Sequence, residues 1–261
     1  MKLKSERTIT IFHLYRNDGT ALFLHPFDDA DILLALDEDT QIFGKYGQEP
    51  QVEYITLFRK ELYRAVDTAV NSWIQEKKFI PNFLWASAGF LLLYFLFTFS
   101  LRDPLPMVDE IIVAGAGAVG VYLYRLRKAH MLPQAEQLRK KLRWRMDHIE
   151  FHEDPFVKEV EDLLHRYESV SRDTLLQSMY MQDEVSLSDD EVKDAYMLIA
   201  YLEKRFSSKL YRKQEKMMDR YVSSGGANRR FDGLRNLAER GKIDLSLFVT
   251  YRSLKHRVHV R

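Results

Sequence analysis

The chain has 261 residues, with 39 Lys and Arg against 38 Asp and Glu, eight His and no Cys. That length permits one large domain or two modest ones with a real core, and the missing Cys excludes a disulfide framework, thiolate zinc sites, iron–sulfur ligation and cysteine nucleophiles. The near-neutral total hides an uneven distribution: net −3 over residues 1–78, −2 over 79–124 and +6 over 125–261.

In the first stretch, Thr8–Tyr15 is rich in β-branched and aromatic residues, and Ala21–His25 is a second apolar run. Between them lies an Asp18-Gly19 turn, so the pattern predicts a β-hairpin. Asp28–Leu36 reads as a short helix and Gly44–Pro50 as a turn-rich loop. From Gln51 to Lys78 apolar residues recur at Val52, Ile55, Phe58, Leu62, Val66, Val70, Trp73 and Ile74. That spacing predicts an amphipathic helix, with Pro81 breaking or bending it. A lone hairpin is marginal in water and must pack on this helix or on another part of the protein.

Phe79–Leu101 carries no charge over 23 residues. At about 1.5 Å rise per residue, about 20 apolar residues cross the hydrocarbon core. A buried helix of a soluble protein is the competing account; the 78 charged and patterned residues in front argue against a signal peptide. A second run, Leu105–Tyr124, follows a short Pro-containing link and ends at Arg125, Arg127 and Lys128. Lys77 and Lys78 precede the first run, and only Arg102 lies between the two. Basic flanks on both outer ends predict both termini on the cytoplasmic side and basic contacts with the membrane surface at Lys77, Lys78, Arg125, Arg127 and Lys128.

Gly115 to Gly120 reads G-x-G-x-x-G after Ile111-Ile112-Val113, the local form of a dinucleotide-binding turn. The window about 20 residues on is basic and helical rather than a strand ending in an acid, and small residues have a plainer use in membranes. Ala114/Ala118 and Ala116/Gly120 are small-xxx-small pairs, with Gly117 between them, and such pairs let helices approach closely. Asp109 and Glu110 admit two readings. At the start of a helix after Pro104 or Pro106 they interact favourably with its dipole near the interface; in an oligomer they would instead ring a pore or cation site.

Beyond the membrane run, Gln134–Phe151 has helical periodicity, and Asp154-Pro155 supplies an N-cap and a first-position proline for a second helix. Ser188–Glu191 reads as a capping box opening a stripe that reaches Tyr221, a single helix of 34 residues unless interrupted. Ile243–Val249 has strand alternation. His148 and His152 stand four apart, a spacing that on one helix face can share a metal; surface histidines at a helix end are the plainer reading. Residues 203–261 carry net +10, which fits anionic lipid headgroups or a solvated face better than nucleic acid.

The sequence thus predicts a mainly α-helical membrane protein with a two-helix transmembrane hairpin (about 79–101 and 105–124). A small α+β part over 1–78 and a larger, basic, mostly helical part over 125–261 lie on the cytoplasmic side of a bacterial inner membrane or its equivalent. The function expected is a non-catalytic, membrane-anchored assembly scaffold without cofactor, oligomerising through the small-residue face. Its partners would be the lipid bilayer and a second copy or another membrane protein. The alternative is a subunit of an ion-conducting oligomer using Asp109 and Glu110.

Overall fold

A computed structural model of the chain describes residues 8–37, 39–101, 108–130, 132–172, 174–175, 191–223, 236 and 239–260. It is mostly helical with one small mixed sheet. The chain forms two compact units, one made of Met1–Pro26, Glu38–Phe58 and Ile149–Arg261, the other of Phe27–Asp37 and Arg59–His148.

In the first unit, β1 (Thr8–Tyr15) and β2 (Ala21–Leu24) are the antiparallel hairpin expected, with Gly19 at φ +78° in the turn. β3 (Gln41–Tyr46) runs parallel to β1 where a loop was expected over Gly44–Pro50. β4 (Glu150–Glu153) runs parallel to β3, giving the order β2-β1-β3-β4. The expected helix to Phe151 stops at Asp147, because Phe151 is drawn into the sheet. Its ring fills the space over Gly44, where a Cβ would lie 2.2 Å from Cδ1.

One face of the sheet presents Phe12, Leu14, Leu22 and Leu24 to a core completed by α5 (Pro155–Ser169), α6 (Glu191–Arg205) and α8 (Leu245–Val260). Asp154 caps α5 as its sequence announced, its Oδ1 accepting from Val157 N at 3.1 Å. The 34-residue helix is interrupted: α6 ends at Arg205 and α7 (Lys209–Ser223) begins after Phe206–Ser208. The break brings both Phe206 and Tyr211 against Phe248, at 5.3 and 5.6 Å between ring centroids. Ser188–Asp190 of the capping box lie outside the described residues. The expected strand at Ile243–Val249 is instead the start of α8. Asp244 caps that helix through Leu247 N, and Leu245, Leu247, Phe248, Val249 and Tyr251 are all buried. A helix buried on several sides shows no single stripe for periodicity to detect.

The other face of the sheet is aromatic. Phe23 stacks on Phe58 at 4.1 Å, Phe151 meets both edge-on, and His13 sits between Tyr15 and Phe23.

In the second unit, α1 (Ala30–Leu34) is short and capped by Asp29. α2 (Val52–Leu101) runs unbroken for 50 residues, its first turns belonging to the first unit. Of the break or bend expected at Pro81, the break does not occur: the proline lies inside the helix. α3 (Val108–His130) and α4 (Pro133–Asp147) follow. Ile111-Ile112-Val113 lies within α3 and is no strand, which removes the nucleotide-binding context. α4 is stitched to α2 by polar side chains. Arg143 Nη2 lies 2.8 Å from both Asp67 oxygens, Arg139 donates to Asn71 Oδ1 at 2.9 Å, and the Tyr63 hydroxyl bonds to Asp147.

Candidate functional site

Among the described residues one helix is long and apolar enough to cross a membrane by length and composition. It lies within α2, and only 11% of its most apolar window is buried. Exposed along it are Phe79, Ile80, Phe83, Leu84, Leu91, Leu92, Phe95, Leu96 and Phe99. α3 adds Ile111, Ile112, Val119 and Leu123, also exposed. Large apolar side chains exposed along one such helix mark a candidate membrane- or protein-contact surface. The second span is not reproduced among the described residues. The uncharged run of α3, Ile111–Tyr124, spans 14 residues, about 21 Å of helix against about 30 Å of hydrocarbon core.

Side chains of α2 and α3 meet at four levels, in opposite chain order. Thr98 Oγ1 lies 3.0 Å from Glu110 Oε2. A Cβ on Gly117 would sit 2.2 Å from Leu93 Cδ1, and one on Gly89 3.5 Å from Val121 Cγ2. At the far level Arg125 Nε donates to Asn82 Oδ1 at 3.4 Å, and its guanidinium lies 5.0 Å from the Trp85 ring centre. The α3 residues concerned, 110, 117, 121 and 125 with the fully buried Ala114, recur at steps of three and four, the spacing of one helix face.

This orientation sorts the small residues. Ala114, Gly117 and Ala118 are buried or half-buried, whereas Ala116 and Gly120 are exposed. Among the described residues, no neighbouring side chain comes within 4 Å of a Cβ built on Gly120. One small-xxx-small pair is thus turned inward and the other outward, a distinction no spacing rule makes.

Glu110 is half-buried and engaged by Thr98; the side chain of Asp109 lies outside the described residues. At the opposite end of the apolar belt formed by the exposed residues of α2 and α3, Lys77, Arg127 and Lys128 are exposed, and Lys78 and Arg125 are half-buried. Lys77 Nζ lies 4.7 Å from the Trp73 ring centre. From Lys78 to Thr98 is 20 residues, about 30 Å along the helix, so the basic and acidic levels are one hydrocarbon thickness apart. Asn82, Trp85 and Thr98 were not identified as site residues from sequence. A polar residue inside an apolar run was the available signal for Asn82 and Thr98.

The histidine pair is corrected. His148 is the C-cap of α4 and His152 lies in β4, so the two do not share a helix face. No group of three or more His, Asp or Glu suited to a metal occurs among the described residues. The basic stretch 203–261 contains paired cations: Arg252 with Asp219 at 2.7 Å, and Lys255 with Glu215 at 3.0 Å.

No family model matches the chain, nor does any curated protein or solved structure.

Proposed function

We propose that the chain is a two-pass membrane-anchored assembly protein, non-catalytic, with both termini on the cytoplasmic side. The observation that carries this reading is the pairing of β3 with β4, Phe43–Tyr46 against Glu150–Glu153. These neighbouring strands bracket all of α2, α3 and α4. A single crossing by the apolar part of α2 would place β3 and β4 on opposite sides of the bilayer, where they could not pair. An excursion that leaves after β3 and rejoins the same sheet crosses an even number of times, and α3 is the segment available for the return. Its short uncharged run is accommodated by bilayer thinning or by snorkelling of its flanking charges, and Glu110 sits where the chain re-enters.

The Cys-free chain makes the test direct. In sealed vesicles, single-cysteine variants E49C and E159C should react with an impermeant maleimide from one side and D103C from the other. L92C should stay unreactive until detergent is added. Labelling of E49C and E159C from opposite sides, or free reaction of L92C, would sink the proposal.

Assembly is the second part of the reading, supported by the outward pair Ala116/Gly120, which offers a close approach to another helix. Light scattering in detergent should find an oligomer that A116L/G120L converts to a folded monomer. A native monomer would remove the assembly role. A closed ring whose vesicle conductance is abolished by D109N/E110Q would replace it with the channel reading.

A further inference from the structure

We infer that the Arg125 end of the belt is a recognition site for the phosphate of an anionic phospholipid headgroup. This rests on the membrane reading above and adds a ligand to it. Arg125 reaches from α3 to α2, where Asn82 engages its Nε and the guanidinium carbon lies over the Trp85 ring. The Nη fork has no acceptor among the described residues, and a planar fork matches two phosphate oxygens at once. Asn82 is 3% exposed, and among the described residues its Nδ2 has no partner, a second unmet donor beside the fork. Lys77, held over Trp73, and Lys78, Arg127 and Lys128 bring the cations at this end of α2 and α3 to five. Among the described residues none of the five meets a carboxylate, whereas Arg16, Lys45, Arg143, Arg252 and Lys255 each do. Cations left unpaired at the rim of an exposed apolar belt have their complement in a group that joins phosphate to acyl chains. Phe83, Leu84 and Trp85, all exposed, supply the apolar half of that contact.

The test uses the full chain carrying W73F and W144F, so that Trp85 is the remaining indole, in vesicles of equimolar phosphatidylcholine and phosphatidylglycerol. Bromine is placed on the acyl chains of one lipid or the other. Brominated phosphatidylglycerol should quench Trp85 more strongly than brominated phosphatidylcholine. R125Q should cut that preference about fivefold, the fold-change matching about 1 kcal/mol per cation near a membrane surface. R127Q/K128Q, at two exposed positions, should reduce it further, and added inorganic phosphate should leave it unchanged. Equal quenching by the two lipids, a preference that survives all three substitutions, or its abolition by free phosphate would overturn the inference while leaving the membrane reading intact. Quenching by neither lipid would overturn both.

Discussion

Gly47→Ala is expected to destabilise the first unit by about 3 kcal/mol, at the upper end of the cost of overpacking a well-packed site. A Cβ at Gly47 would lie 2.6 Å from Lys158 Cα and 2.9 Å from Lys158 N. These are backbone atoms of α5, so no rotamer change relieves the clash and the helix must move as a body. It is held against moving. Asp154 N donates to Tyr46 O at 2.9 Å, Lys45 Nζ bonds Asp154 Oδ2 at 2.7 Å, and the Glu161 carboxylate accepts from Tyr15 N at 3.0 Å. Urea unfolding in detergent, followed by tyrosine near-UV circular dichroism, is weighted toward this unit, which holds ten of the 14 tyrosines, while the three tryptophans (Trp73, Trp85, Trp144) lie in the other and report that one separately. Gly19→Ala is the control. Its φ is +78° with nothing within 4 Å of a Cβ, so it should cost only about 1–2 kcal/mol of left-handed strain. A Gly47→Ala midpoint equal to wild type would mean that β3 and α5 do not approach as described.

Gly44 and Gly47 also show where sequence reasoning stopped. Both looked like turn glycines, but Gly44 makes room for the Phe151 ring and Gly47 for a helix backbone. Their partners lie more than 100 residues away, so no local window contains the reason for them. The features that were legible are those whose causes are local: the Asp18-Gly19 hairpin, the Asp154-Pro155 cap and the uncharged run within α2. β4 was hidden because a four-residue strand of Glu-Phe-His-Glu owes its form to β3 rather than to its own propensity. α8 was hidden because its burial on several sides erased the helical period. At the membrane site, composition marked the small residues, the acids and the basic flanks. The rotation of α3 then decided that Ala114 and Gly117 turn inward while Ala116 and Gly120 turn out. Asn82 stood in plain view and acquired meaning only once Arg125 was placed beside it.

Acid is expected to loosen the same unit through His13. Its side chain is fully buried beside Tyr15 and Phe23, and among the described residues neither ring nitrogen has a hydrogen-bond partner. Burial pushes its pKa down from 6.5 to about 4, because no carboxylate among the described residues offsets the cost of an imidazolium there. Between these two values the unfolded chain binds a proton that the folded chain refuses. The stability contribution is therefore intact above pH 6.5 and falls as the pH drops toward 4, by about 3 kcal/mol over the whole interval. Glu161 works in the opposite sense. Burial raises its pKa, with the Tyr15 N–H partly opposing, so the folded state takes up its proton more readily as acid is added. His13→Phe separates the two. It keeps a ring between Tyr15 and Phe23 and removes the titration together with a buried donor that has no acceptor, whose cost is about 1–3 kcal/mol. The variant should be at least as stable as wild type at pH 7 and should lose the decline between pH 6.5 and 4, leaving the opposite slope from Glu161. Urea midpoints measured across that range decide the matter, and parallel pH profiles for wild type and His13→Phe would show that His13 is not the acid-sensitive group.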